Sequence, residues 1–72
     1  MKKLSISIKY KKDIYKSAPA EYDEEEEEVL RKIVQKIVEG KSSYFSLKTE
    51  QGVQKYFPSK ILAKSIITVI EE

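Results

Sequence analysis

Residues 3–12 alternate: Leu4, Ile6, Ile8 and Tyr10 fall on one face, and Ser5, Ser7, Lys9 and Lys11 on the other. A period of two with β-branched side chains predicts a half-buried strand. Its polar face implies a sheet covered on one side only. Residues 13–22 read as a connection around Pro19. The period then changes. Val29, Leu30, Ile33, Val34, Ile37 and Val38 recur in steps of three and four, a stripe wide enough for an amphipathic helix lying on a sheet. Asp23 with Glu26 three residues on is a capping-box pattern, and Pro19 suits a first helical position. The helix is therefore expected to begin between Ala20 and Asp23. Gly40 suits the left-handed residue that closes it.

Residues 44–57 predict a hairpin. With Glu50-Gln51-Gly52 as a three-residue loop, Gly52 takes the left-handed position of a type I turn with a bulge. Thr49 then faces Val53, Leu47 faces Lys55, and Phe45 faces Phe57. A two-residue loop would instead oppose Lys48 to Lys55, a like-charge pair that costs stability. The three-residue register gathers Tyr44, Ser46, Lys48, Gln54 and Tyr56 on the opposite face. Residues 58–64 read as a bend or single helical turn, with Ile61 and Leu62 folded inward. The last strand, residues 65–71, is apolar on both faces: Ile66 and Ile70 on one, Ile67 and Val69 on the other. Such a strand is covered on both sides, yet one helix covers only one. The expected fold is α+β: one domain over residues 1–72, with a single helix on one face of a four-stranded, mainly antiparallel sheet, in the order β-α-β-β-β. The hairpin is expected beside the last strand, and the first strand next to that one.

Length sharpens the question of coverage. A chain of 72 residues buries only about 60% of the surface its unfolded form exposes. Small chains usually add disulfides, a metal or a partner subunit. Here there is no Cys and no His, so disulfides and the common nitrogen and sulfur metal ligands are excluded. That leaves close packing of an isoleucine-rich core, or self-association. No apolar run approaches the roughly 18 residues of a membrane span, and none of secretory length follows Lys2-Lys3. The absence of Cys fits a reducing compartment. A soluble, cytoplasmic protein without membrane contact is expected.

The net charge of +2 hides segregation. Residues 1–16 hold six Lys against Asp13, residues 21–28 hold seven acids and no base, and residues 31–64 hold eight bases against Glu39 and Glu50. Blocks of opposite sign can pair within one fold, so net charge implicates no partner. The acids suit the dipole of the helix start, and Glu27 and Glu28 stand four residues before Arg31 and Lys32. Calcium loops alternate their ligands and turn at a Gly, which five consecutive Glu do not. The surplus acid either solubilises the chain or offers a basic partner a mimic of a nucleic-acid backbone.

Catalysis is not expected. Without His or Cys the usual triads are missing, and Gly40 and Gly52 stand alone rather than in a phosphate loop. So small a domain has little room for a pocket of several hundred cubic ångströms. No cofactor or metal is expected. Two binding readings follow. In the first, Tyr44, Tyr56, Ile67 and Val69 form an apolar and aromatic patch on the open sheet face, through which the chain dimerises or binds another protein. The opposing possibility is that residues 58–64, with Ile61 and Leu62, fold under the sheet and cover Ile67 and Val69. In the second, Lys9, Lys11 and Lys48 join Tyr44 and Tyr56 as a nucleic-acid surface, Tyr stacking bases and Lys meeting phosphates. One Arg among fourteen bases is poor equipment for that, the acidic helix start repels nucleic acid, and Lys on a strand also serves to discourage edge pairing.

A short Lys/Ile/Glu-rich chain with strand, one helix, the hairpin Phe45-Ser46-Leu47-Lys48 to Lys55-Tyr56-Phe57-Pro58, and a closing apolar strand resembles small uncharacterised proteins of bacterial phages and prophages. The resemblance covers most of the chain in style and rests on no specific motif. It implies an accessory role in phage or mobile-element biology, binding and modulating a host or phage protein. It carries over no functional residues.

Overall fold

The computed structural model describes residues 1–41 and 43–72. The alternating first segment forms β1 (Lys2–Tyr10), and it is the central strand. Leu4, Ile6 and Ile8 are buried, Ile8 completely. On one side β1 pairs antiparallel with β6 (Ile66–Glu71), Leu4 opposite Glu71 and Lys9 opposite Ile66. On the other side it pairs with two short strands, β2 (Asp13–Lys16) and β3 (Ala20–Tyr22). Residues 13–22 are therefore no mere connection. The chain turns at Lys11-Lys12, with Lys11 in the left-handed region at φ 55°, and runs back along β1.

Between β2 and β3 the returning strand bulges. Ser17, Ala18 and Pro19 oppose only Ser5 and Ile6, given Ser7 opposite Lys16 and Leu4 opposite Ala20. Ser17 satisfies Ile6 from both ends. Its N–H donates to the Ile6 carbonyl at 2.9 Å, and its Oγ accepts from the Ile6 N–H at 2.8 Å. Pro19 has no N–H to leave unpaired. The Ala18 N–H is thereby free to donate to the Lys48 carbonyl at 3.1 Å, and Ser17 bridges Thr49. The bulge is thus the splice that attaches the second sheet. Ser17→Ala should strand the partly buried Ile6 N–H, at a cost of about 1–3 kcal/mol in urea unfolding. A change within experimental error would mean that water replaces the hydroxyl at no cost.

The helix α1 (Glu24–Val38) has the ends its residues dictate. Asp23 accepts from the Glu26 N–H at 2.8 Å, and Glu26 accepts from the Asp23 N–H at 3.1 Å. At the other end Gly40 sits at φ 77°, while the Gly40 N–H reaches the Ile37 carbonyl and the Lys41 N–H reaches the Lys36 carbonyl. That pair of bonds is the Schellman closure. The expected apolar stripe is only half used: Leu30 and Ile37 are buried, whereas Val29, Ile33 and Val38 are exposed. Three elements share the cover instead of one.

The second of these is the hairpin of β4 (Tyr44–Lys48) and β5 (Gln54–Pro58), in the expected register: Phe45 opposite Phe57, Leu47 opposite Lys55. Gly52 lies at φ 83° and donates to the Thr49 carbonyl, while the Thr49 N–H donates to the Val53 carbonyl. The third is the helical turn α2 (Ser59–Leu62), which buries Leu62. Leu30, Ile37, Leu47, Phe57 and Leu62 join Leu4, Ile6 and Ile8 in one core cluster. The α+β class with antiparallel pairing and one main helix is observed. A four-stranded sheet is present, but its members are β1, β2, β3 and β6, and the hairpin forms a separate two-stranded sheet. The hairpin is not beside β6 because Leu47 and Phe57 place its inner face over the core rather than in the ladder.

Candidate functional site

The register of β1 with its neighbours assigns every side chain of the larger sheet to a face. Leu4, Ile6 and Ile8 face the core, and so do Val69 and Ile67 opposite Ile6 and Ile8. The reverse face consists of crosswise rows. Ile14, Lys9 and Ile66 form one row across three strands, and Lys16, Ser7 and Thr68 the next. Ser5 and Ile70 form the third, and Glu21, Lys3 and Glu72 the last. Ile14 is 64% exposed and Ile66 66%. Two large apolar side chains thus stand in water on either side of Lys9, which has no ion-pair partner among the described residues.

The other end of this face is strapped. Lys16 Nζ lies 2.9 Å from Glu72 Oε1. Lys16 stands opposite Ser7 and Glu72 opposite Lys3, so the pair runs diagonally over Ser5. Ser5 is accordingly buried, at 2% exposure, although it belongs to the face expected to be open to water. Its Oγ has no hydrogen-bond partner among the described residues. The hydrogen bond to Glu72 raises the Lys16 pKa above its ordinary value, against the opposing effect of desolvation.

The residues singled out from sequence do not come together. Ile67 and Val69 pack against the core, where Ile61 and Leu62 also lie, so they form no part of an exposed patch. The two-sided apolar character of β6 is real, but Ile66 and Ile70 carry the outward side. Tyr44 and Tyr56 are exposed, 62% and 68%, on the outer face of the hairpin with Lys48. The two sheets turn their inner faces to one core, so this tyrosine face points away from the Ile14–Lys9–Ile66 row. Lys9 is on that row, whereas Lys11 sits in the β1–β2 turn with its ammonium 5.3 Å from the Tyr10 ring centroid. The three lysines share no surface. Ile14 was invisible as a site residue because it lies in a strand without strand-like length or alternation.

The acidic helix start is partly engaged. Glu27 meets Arg31 at 2.8 Å and Lys2 at 3.4 Å, Lys2 also reaches Glu71 at 3.7 Å, and Glu28 meets Lys32 at 3.3 Å. The hydrogen bond from Arg31 holds the Glu27 carboxyl below its ordinary 4.5, Lys2 adds to this, and desolvation opposes it. A depressed folded-state pKa contributes stability fully present above 4.5 and lost as pH falls through the folded value. Glu27→Gln should therefore melt earlier than the parent at neutral pH, with the gap closing as the solution is acidified below 4.5. A gap independent of pH would contradict the ion-pair account.

Concave surface is larger than the chain length suggested. A groove of about 460 Å³ lies between Ile14, Tyr15, Lys16, Thr49, Val53 and Lys55, and another of about 470 Å³ between Tyr22, Glu25, Glu26, Val29, Leu30 and Ile33. Both are open to solvent. Among the described residues no cluster of acids could hold a metal ion, and no helix is long and apolar enough to cross a membrane. The chain matches no protein-family model, no curated protein and no solved structure.

Proposed function

We propose that this chain is a non-enzymatic protein-interaction module whose working surface is the outward face of the larger sheet, engaging another protein or a second copy. The supporting observation is the row Ile14–Lys9–Ile66. Two isoleucines about two-thirds exposed flank an unengaged ammonium. Isolated exposed apolar residues need no explanation, but two in register on either side of a lysine, whose aliphatic stem lies between them, make one surface. The complementary surface is apolar and carries a carboxylate to meet Lys9. The resemblance to phage and prophage proteins adds the proposal that the partner belongs to phage or mobile-element biology.

The test uses the tagged full chain as bait in extract from its source, beside Ile66→Asp and Tyr44→Ala. A bona fide partner is retained by wild type and by Tyr44→Ala, and lost by Ile66→Asp. Equal retention by all three would dismiss this face. Steep loss of a captured nucleic acid with added salt would instead favour the Lys/Tyr surface.

A further inference from the structure

The two long edges of the larger sheet are treated differently. The β2–β3 edge is bulged, carries Pro19 and is bridged to the hairpin at Ser17. Those are recognised protections against strand addition. The edge at β6 has none of them. Among the described residues no strand pairs with its outer side, and Ile66-Ile67-Thr68-Val69-Ile70 contains no Pro, Gly or charge.

The direction of its backbone groups follows from parity. Ser17 takes both backbone groups of Ile6, so those of Ser5, Ser7 and Lys9 face β6. Their opposites, Ile70, Thr68 and Ile66, are thereby occupied, as the Glu72 N–H bonded to the Lys3 carbonyl agrees. The N–H and C=O groups of Ile67, Val69 and Glu71 point outward.

We propose that a second copy of this chain pairs antiparallel along this edge, centred on Thr68, so that two sheets become one. The inference deepens the reading above and rests on it. Of the registers that set outward groups against outward groups, this one alone matches apolar with apolar on both faces. Ile67 exchanges bonds with Val69 of the second copy, and Ile66 stands beside Ile70 of the second copy. It also brings Lys64 alongside the Glu71–Glu72 end of the neighbour, opposite charges at both ends of the ladder. A two-fold axis normal to the sheet keeps both outward faces on the same side. The Ile14–Lys9–Ile66 rows then lie on one continuous surface.

Thr68 is exposed and opposes itself across the axis, which supplies the test. Sedimentation should give twice the 8.4 kDa chain mass for wild type. Thr68→Lys and Thr68→Glu, each alone, place like charges face to face and should sediment at the single-chain mass while keeping the far-ultraviolet circular dichroism of the folded chain. Mixed in equal amounts they should recover the doubled mass. A wild type that stays at single-chain mass at millimolar concentration overturns the pairing. So does a doubled mass indifferent to both Thr68 variants, or a mixture that remains single-chain. The bait experiment separates the two ideas: a monomer that still loses a partner on Ile66→Asp leaves the interaction face standing without the self-pairing.

Discussion

Phe57→Ala should lower the free energy of unfolding by about 3–5 kcal/mol, the range for deleting a buried ring. Phe57 is 5% exposed, and its ring meets that of Tyr15 edge-on, centroids 5.2 Å apart at 67°. That contact ties β5 to β2 and so joins the two sheets through side chains, where backbone ties are few. A lone two-stranded hairpin is marginal in water, so β4–β5 depends on this anchor. A domain of 72 residues has on the order of 4–11 kcal/mol of stability to lose. Urea unfolding followed by far-ultraviolet circular dichroism would measure the change. A loss under about 1 kcal/mol would show that the ring is not the anchor, given how far that lies below the expected range.

Ile8→Ala should cost about 2–5 kcal/mol. Ile8 has no exposed surface and is paired on both sides, with Tyr15 on β2 and Ile67 on β6. It sits in the middle of a strand held on both edges, so the structure around it has little freedom to collapse into the space left behind. The spread of cost among such truncations reflects that freedom, which places Ile8 in the upper part of the range. Equilibrium urea curves for Ile8→Val and Ile8→Ala would show whether the cost rises with volume removed. A Val variant as damaging as the Ala variant would contradict the packing account, since Val keeps the β-branch and removes a single methylene.

Some features were legible because particular residues announce them locally. Asp23 with Glu26, Gly40 and Gly52 each demand one backbone arrangement, and the helix ends and hairpin register follow from them. The β1–β2 hairpin was hidden because its turn is Lys11-Lys12, with neither Gly, Asn nor Pro to mark it. β2 and β3 have four and three residues, too short for alternation to show, and Pro19 suits a connection or a first helical position as well as the bulge it belongs to. The candidate site failed for a different reason. The segment from Ile66 to Ile70 is apolar on both sides, so nothing within it says which side meets the core. That is decided by Ser5 opposite Ile70 and Ser7 opposite Thr68, pairings between opposite ends of the chain. Exposure of Ile14 and Ile66 likewise depends on two strands flanking Lys9, a relation no local window contains.

The placement of β1 bears on how the molecule is made. It is the central strand, yet one neighbour arrives after a two-residue turn and the other only after the 56 residues that separate Lys9 from its partner Ile66. Closing so long a loop adds little to the equilibrium cost, but such distant pairings slow folding. On the ribosome, the amides of Ser5, Ser7 and Lys9 wait in water until β6 emerges. In that interval the nascent chain offers any extended polypeptide nearby a bare ribbon to join. Pausing in translation just before Ile66 would lengthen the vulnerable period, and a chaperone that occupies β1 until release would shorten it.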